Sequence, residues 1–182
     1  AAGVPMPDAA ALLVHLKLVL VAEDQERLAK AACAYGPAVR DHFAKSHDDS
    51  HVLGESNVFR YRPCDPLVVR VSADGSLGEA LMALVAAVSA GAKVTLSVAE
   101  TVASTAAWLA ELPFTTVVIE DPASMAARVA SSERVRQIGS LEPEVHAAAN
   151  AALVHVAQGP VSTTARTELL WCYREQSVSN GS

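Results

Sequence analysis

The chain has 182 residues, 20 of them acidic and 14 basic, for a formal charge of −6. That balance argues against a nucleic-acid or anionic-membrane partner, both of which select clustered Lys and Arg. The length fits one domain with a real core, since a chain of ~150 residues buries roughly 70% of its unfolded surface. Ala and Val dominate while aromatic residues make up only 4%, so small aliphatic side chains must build that core.

Cys33, Cys64 and Cys172 are odd in number and widely spaced, with no C-x-x-C pair. They make neither a disulfide framework nor a zinc knuckle and suit a reducing cytoplasm. The apolar run from Ala9 to Ala22 is broken by His15 and Lys17 and falls short of the ~20 residues a membrane span needs. No basic segment precedes it, so it does not read as a signal peptide. With Ala at position 1 and Gly181–Ser182 at the end, a piece of something longer is expected.

The first 50 residues read as helical. Pro7–Asp8 is a start signal, and Leu12, Leu13, Leu16, Val19 and Leu20 recur at helical spacing. A second helix is predicted from about Asp24, with Leu28, Ala31, Ala32 and Tyr35 on one face. Gly36–Pro37 should interrupt it before Val39–Lys45, and Ser46–Ser50 reads as a loop. From Asn57 to Arg62 the period shortens to two, the mark of a strand with one wet face. Leu67–Val71 is a β-branched apolar run of the kind a doubly covered parallel strand shows. A helix over Ser76–Ala90 follows, with Gly91 as its C-terminal cap.

The unit then repeats. Strands are predicted at Lys93–Val98, Thr115–Ile119, Arg134–Ile138 and Leu153–Ala157. Between them fall helices over Thr101–Leu112, from the Asp121–Pro122 cap to about Ser131, and over Pro143–Ala152. A last helix is expected from Thr163 to Gln176. Strands alternating with helices imply right-handed crossovers. The expected architecture is therefore α/β: N-terminal helices over 1–50, then a Rossmann-like, mainly parallel sheet with flanking helices over 51–182.

Few residues offer chemistry. Gly75 and Gly78 lie in a strand-to-helix turn, where glycines let a backbone approach a pyrophosphate. Glu100 follows Gly78 by 22 residues, a position from which a carboxylate can hold ribose hydroxyls. Gly139 and Ser140 form a second possible anion turn. In each case a plain turn or helix start accounts for the residues equally simply, and the three-glycine fingerprint is absent. His42, His47 and His51 stand near Asp41, Asp48 and Asp49, a grouping that reads as a solvated helix end rather than a metal site. No cysteine has the neighbouring base or basic cluster that generates a thiolate. G-x-S-x-G, H-E-x-x-H and G-K-[ST] are all missing, so neither a catalytic residue nor a metal site is expected.

Three stretches together resemble the C-terminal domain of the long bifunctional flavoenzymes called proline utilization A. They are Gly54-Glu55-Ser56-Asn57 leading into Phe59-Arg60-Tyr61-Arg62-Pro63, the unit from Leu67 to Glu100, and Arg166-Thr167-Glu168-Leu169-Leu170 through Arg174-Glu175-Gln176-Ser177. The likeness runs over roughly residues 24 to 180, specific at its ends and generic in the middle. It implies an aldehyde dehydrogenase superfamily domain similar to the NAD-binding half. Against a working dehydrogenase, Ser97 stands where a ribose-binding lysine is implied and Val98 where a proline is, while Glu100 matches. Ile138-Gly139-Ser140 resembles a phenylalanine-threonine-glycine-serine loop without its threonine. His155-Val156-Ala157-Gln158-Gly159-Pro160 replaces the segment bearing the general base, and the cysteine-bearing half is absent.

The resemblance thus implies a non-catalytic structural domain that binds no cofactor. It would pack on the aldehyde dehydrogenase module of a parent chain using FAD and NAD, and help seal the channelling cavity for L-glutamate γ-semialdehyde. Two alternatives are an NAD-binding portion of an active dehydrogenase, resting on Gly75, Gly78 and Glu100, and a free-standing interaction domain.

Overall fold

A computed structural model describes residues 3–48, 55–104 and 106–181. Helices α1 (Pro7–Leu16) and α2 (Ala22–Ala38) open the chain, and a π turn (Val39–Phe43) extends α2. Strands β1 (Ser46–His47) and β2 (Glu55–Pro63) follow, then β3 (Leu67–Val71), α3 (Leu77–Ala90) and β4 (Val94–Val98). A single turn α4 (Glu100–Ala103) and a 3-10 turn (Ala107–Glu111) lead into β5 (Thr115–Ile119), α5 (Pro122–Val129) and β6 (Arg134–Ile138). The rest is α6 (Pro143–Ala152), β7 (His155–Ala157), α7 (Ala165–Leu170) and β8 (Tyr173–Gly181).

The expected parallel sheet is present. Its five strands run in the order β5-β4-β3-β6-β7, each pairing parallel to its neighbour. Every residue of β3 is buried, as a central strand covered on both faces requires. Leu67, Val69 and Val71 join α1, α2 and α3 in the main core, while Val68 turns to the other face with Met125, Val129, Val135 and Val145. α3 is almost entirely buried, so its alanines let neighbouring backbones approach closely. Gly91 ends it at φ 73°, a conformation glycine adopts without a Cβ penalty. Asp121 caps α5 by accepting a 2.7 Å hydrogen bond from the Ser124 amide, with Pro122 next.

Four predicted elements differ. Gly36–Pro37 does not interrupt α2, which runs on to Ala38. Pro37 leaves the Cys33 carbonyl without an amide donor, and Gly3 packs directly against that carbonyl and the proline ring. Gly36 lies against the Val4 carbonyl, which also accepts from Arg40 Nη2 at 2.9 Å. The Ser46–Ser50 loop contains the short strand β1, antiparallel to β2. The Thr101–Leu112 helix resolves into two separate turns, α4 and the 3-10 segment. Most substantially, the predicted helix to Gln176 stops at Leu170, and β8 pairs antiparallel with β2 along its whole length. Phe43, Tyr61 and Tyr173 cluster where this second sheet meets the π turn, the rings of Phe43 and Tyr173 stacked at 4.7 Å and Tyr61 edge-on to both.

Candidate functional site

The chain runs outward from β3 through β4 to β5, then returns to lay β6 against the other side of β3. The crossovers therefore part at the carboxyl end of β3, the topological switch point at which open α/β sheets form a crevice. A cleft of about 780 Å³ lies there. Its walls are the segments that follow four strands: Ser72–Asp74, Ala99–Thr101, Ile119–Pro122 and Ser140–Glu142.

Arg70 reaches this cleft from the centre of β3 and is otherwise fully buried. Its guanidinium donates to Glu142 Oε1 at 2.7 and 3.0 Å, to Ser97 Oγ at 3.1 Å and to the Glu120 carbonyl at 3.0 Å. A buried cation is tolerated only when so paired. Glu120 in turn accepts from Arg128 at 3.0 Å. Asp74, Glu100, Glu120, Asp121 and Glu142 all line the cleft, against Arg70 alone. The lining is strongly acidic.

At the lip, Asp74 bridges two turns. Its Oδ1 accepts from Ser72 Oγ at 2.7 Å and from the Ser140 amide at 3.0 Å, and its Oδ2 accepts from Ser140 Oγ at 2.5 Å. The Ser140 hydroxyl, the Ser72 hydroxyl and the Ser140 amide hold the Asp74 carboxyl well below the usual carboxylate range. Gly139 stands at φ 85°, and a Cβ there would strike Ser72 Oγ, Asp74 Oδ1 and the Gly75 Cα. A Cβ on Gly75 would come within 2.6 Å of the Ile138 carbonyl. Both glycines are needed because the two turns press together.

The sequence candidates are thus separated by the fold. Glu100 and Ser140 line the cleft; Glu100 is the first residue of α4. Gly75 and Gly139 lie beneath the Asp74 bridge, packed on each other. Gly78 lies in the first turn of α3, where the nearest foreign side chain is Asp24 of α2. Arg70 and Glu142 were not singled out by sequence. The available signal was a guanidinium in the middle of Leu67–Val71, a run otherwise wholly apolar, since a charge in a buried strand demands a partner.

Of the histidine grouping, the described part is His42 and His47 with Asp41 and Asp48. The rings of His42 and His47 lie 4.9 Å apart, and His47 Nε2 sits 3.1 Å from the His42 carbonyl. His51 and Asp49 lie outside the described residues. Among the described residues no three His, Cys, Asp or Glu converge as metal ligands. Burial pushes the Cys64 and Cys172 thiols up, away from the reactive thiolate. Among the described residues no helix is long and apolar enough to cross a membrane.

No protein-family model and no curated protein sequence matches the chain. Solved structures do. Proline utilization A from Corynebacterium freiburgense superposes with a TM-score of 0.57 at 27% identity, covering 99% of this chain and 15% of that one. A mutant of Bradyrhizobium japonicum proline utilization A gives 0.55 at 22% identity, covering 82% of this chain and 19% of its own. A further structure, titled bifunctional proline utilization A, gives 0.52 at 24%, covering 82% and 18%. The resemblance expected from sequence is borne out at the level of fold: this chain is similar to a portion of proline utilization A. It spans less than a fifth of the length of each of these structures.

Proposed function

We propose that this chain is a non-catalytic structural domain of a bifunctional proline-catabolic enzyme. It packs on the aldehyde dehydrogenase module of the same parent chain and helps seal the cavity through which L-glutamate γ-semialdehyde is channelled. The parent would use FAD and NAD in the cytoplasm; this domain would hold neither cofactor. A covered path keeps a reactive aldehyde from bulk water, which is work a shaped wall can do without catalytic groups.

The observation that carries this reading is the Asp74 bridge. A pyrophosphate at a switch point needs free backbone amides and an uncharged or cationic rim. Here the Ser140 amide and hydroxyl already serve a carboxylate of the chain itself. Five acidic residues line the cleft, with the Glu120 carboxylate held by Arg128 and that of Asp121 capping α5, and the single guanidinium of the lining is tied to Glu142. Such a lining speaks against a dinucleotide. An outward apolar surface at the α1–α2 corner, with Val14, Leu18 at 84% exposure and Val21, is the kind of patch that supports docking on another module.

Titration calorimetry with NAD is expected to give no heat of binding in the micromolar range, and the chain to oxidise no aldehyde. Saturable micromolar binding would defeat the proposal. One observation favours the alternative, an NAD-binding portion of an active dehydrogenase: Glu100 does face the cleft. That reading requires Glu100→Ala to weaken NAD binding measurably.

A further inference from the structure

Two buried cysteines that no catalytic reading uses meet through a backbone hydrogen bond at the junction of the two sheets. The β2–β8 register ends at Pro63 opposite Tyr173, and the next opposed pair is Cys64 with Cys172. The Cys64 amide donates to the Cys172 carbonyl at 2.9 Å, while the Cys172 amide turns back to the Leu169 carbonyl at 2.8 Å and its thiol lies 3.9 Å from the Glu168 carbonyl, so one backbone bond joins the two cysteines just past the end of the ladder. Both side chains are buried in the same apolar cluster. Opposed residues of an antiparallel pair have Cβ atoms about 4.5–5.5 Å apart, so closing an S–S bond, which needs about 3.5–4.5 Å, requires the two backbones to draw together by about 1 Å. Where they share a backbone hydrogen bond their Cα atoms lie about 5.5 Å apart. That spacing falls within the roughly 4.4–6.8 Å that a disulfide spans. Cys33, on α2, is half-buried and lies outside that register.

We propose that Cys64 and Cys172 are a redox pair that closes into an intramolecular disulfide when the chain meets a small-molecule disulfide. One cysteine thiolate attacks the oxidant's S–S bond, forming a mixed disulfide and expelling one thiolate. The second cysteine thiolate then displaces the other half. The protein loses two electrons and two thiol protons, and the oxidant leaves as two thiols. Burial keeps both thiols protonated in the closed fold, so exchange waits on opening of the β2–β8 end and is slow. Once made, the bond ties the entry of β3 to the exit of α7. It encloses the whole five-stranded sheet, a loop of more than a hundred residues, and raises the melting temperature by about 10 °C.

The test is to refold the chain in a glutathione redox buffer and digest it without reduction. Mass spectrometry should find the Cys64 and Cys172 peptides joined, with Cys33 outside the link, and the rise in melting temperature should vanish on adding dithiothreitol. Separate glutathione adducts on Cys64 and Cys172 with no link between them would overturn the proposal, as would links made mainly through Cys33. Cys64→Ser should melt at the same temperature with and without oxidant; a variant that still gains stability on oxidation counts against the pair. Should that variant fail to fold, the wild-type digest decides by itself.

Discussion

Two arginines on neighbouring strands show how this sheet divides its labour. Arg136 on β6 points to the face covered by α2 and α7, where Glu168 holds it at 2.9 and 3.2 Å. It also donates to the carbonyls of Gly159 at 3.0 Å and Pro160 at 3.3 Å, while Glu168 accepts from the Ser162 amide at 2.9 Å. The pair is sealed, at 2% and 1% exposure, and pins the loop between β7 and α7. Arg70 on β3 points to the opposite face and is equally buried, but its partner Glu142 keeps 14% of its side chain open to the cleft. One ion pair closes a loop and the other forms the floor of a crevice. The difference teaches that two equally buried guanidiniums on one sheet serve different ends, one closing a loop and the other flooring a crevice rimmed by acidic residues.

Glu168→Ala sharpens the comparison most. It strands a buried guanidinium and should cost about 3–5 kcal/mol in urea unfolding, enough to unfold much of a marginal domain. Arg70→Met should cost less, about 2 kcal/mol, because Glu142 can turn to cleft water once its partner is gone. Equal losses from the two variants would break the distinction drawn between the pairs. The smallest effect belongs to Asp74→Asn at the lip, and it should show as a change in pH dependence. The Asp74 carboxyl is held below its unfolded value. Its contribution is therefore complete above the ordinary carboxylate range near ~4 and is lost as pH falls through the lowered folded value. Wild-type and Asn variants compared by thermal melts should differ at neutral pH and converge in strong acid.

Much of the central sheet could be read directly because burial leaves a plain record. Leu67–Val71 is apolar and β-branched apart from Arg70, Gly91 ends a helix, and Asp121–Pro122 starts one. The outer sheet left no such record. β8 is solvated along most of its length, so its sequence lacks the alternation that marks a half-buried strand, and Arg166–Leu170 just before it carries genuine helical signal. α2 passes through Pro37, and Gly3, far along the chain from it, packs against the carbonyl that the proline frees, a tertiary contact that no local pattern announces. The glycine candidates were located, but their occupant was not: that Asp74 would fold onto Ser140, 66 residues away, is a tertiary fact with no local signature. Arg70 was legible in principle and its partner Glu142 was not.

The pairing of β2 with β8 also sets an order of events for the newborn chain. β2 emerges during synthesis well over a hundred residues ahead of the strand that completes it, and the parallel sheet lies wholly between the two. Contacts so distant in sequence form slowly. Until they do, Phe59 and Tyr61 stand on a strand paired only with the short β1 and open along its other edge to association with other chains. Translation pausing or truncation before Tyr173 would leave a largely formed sheet with an unfinished edge, a natural point for chaperone engagement.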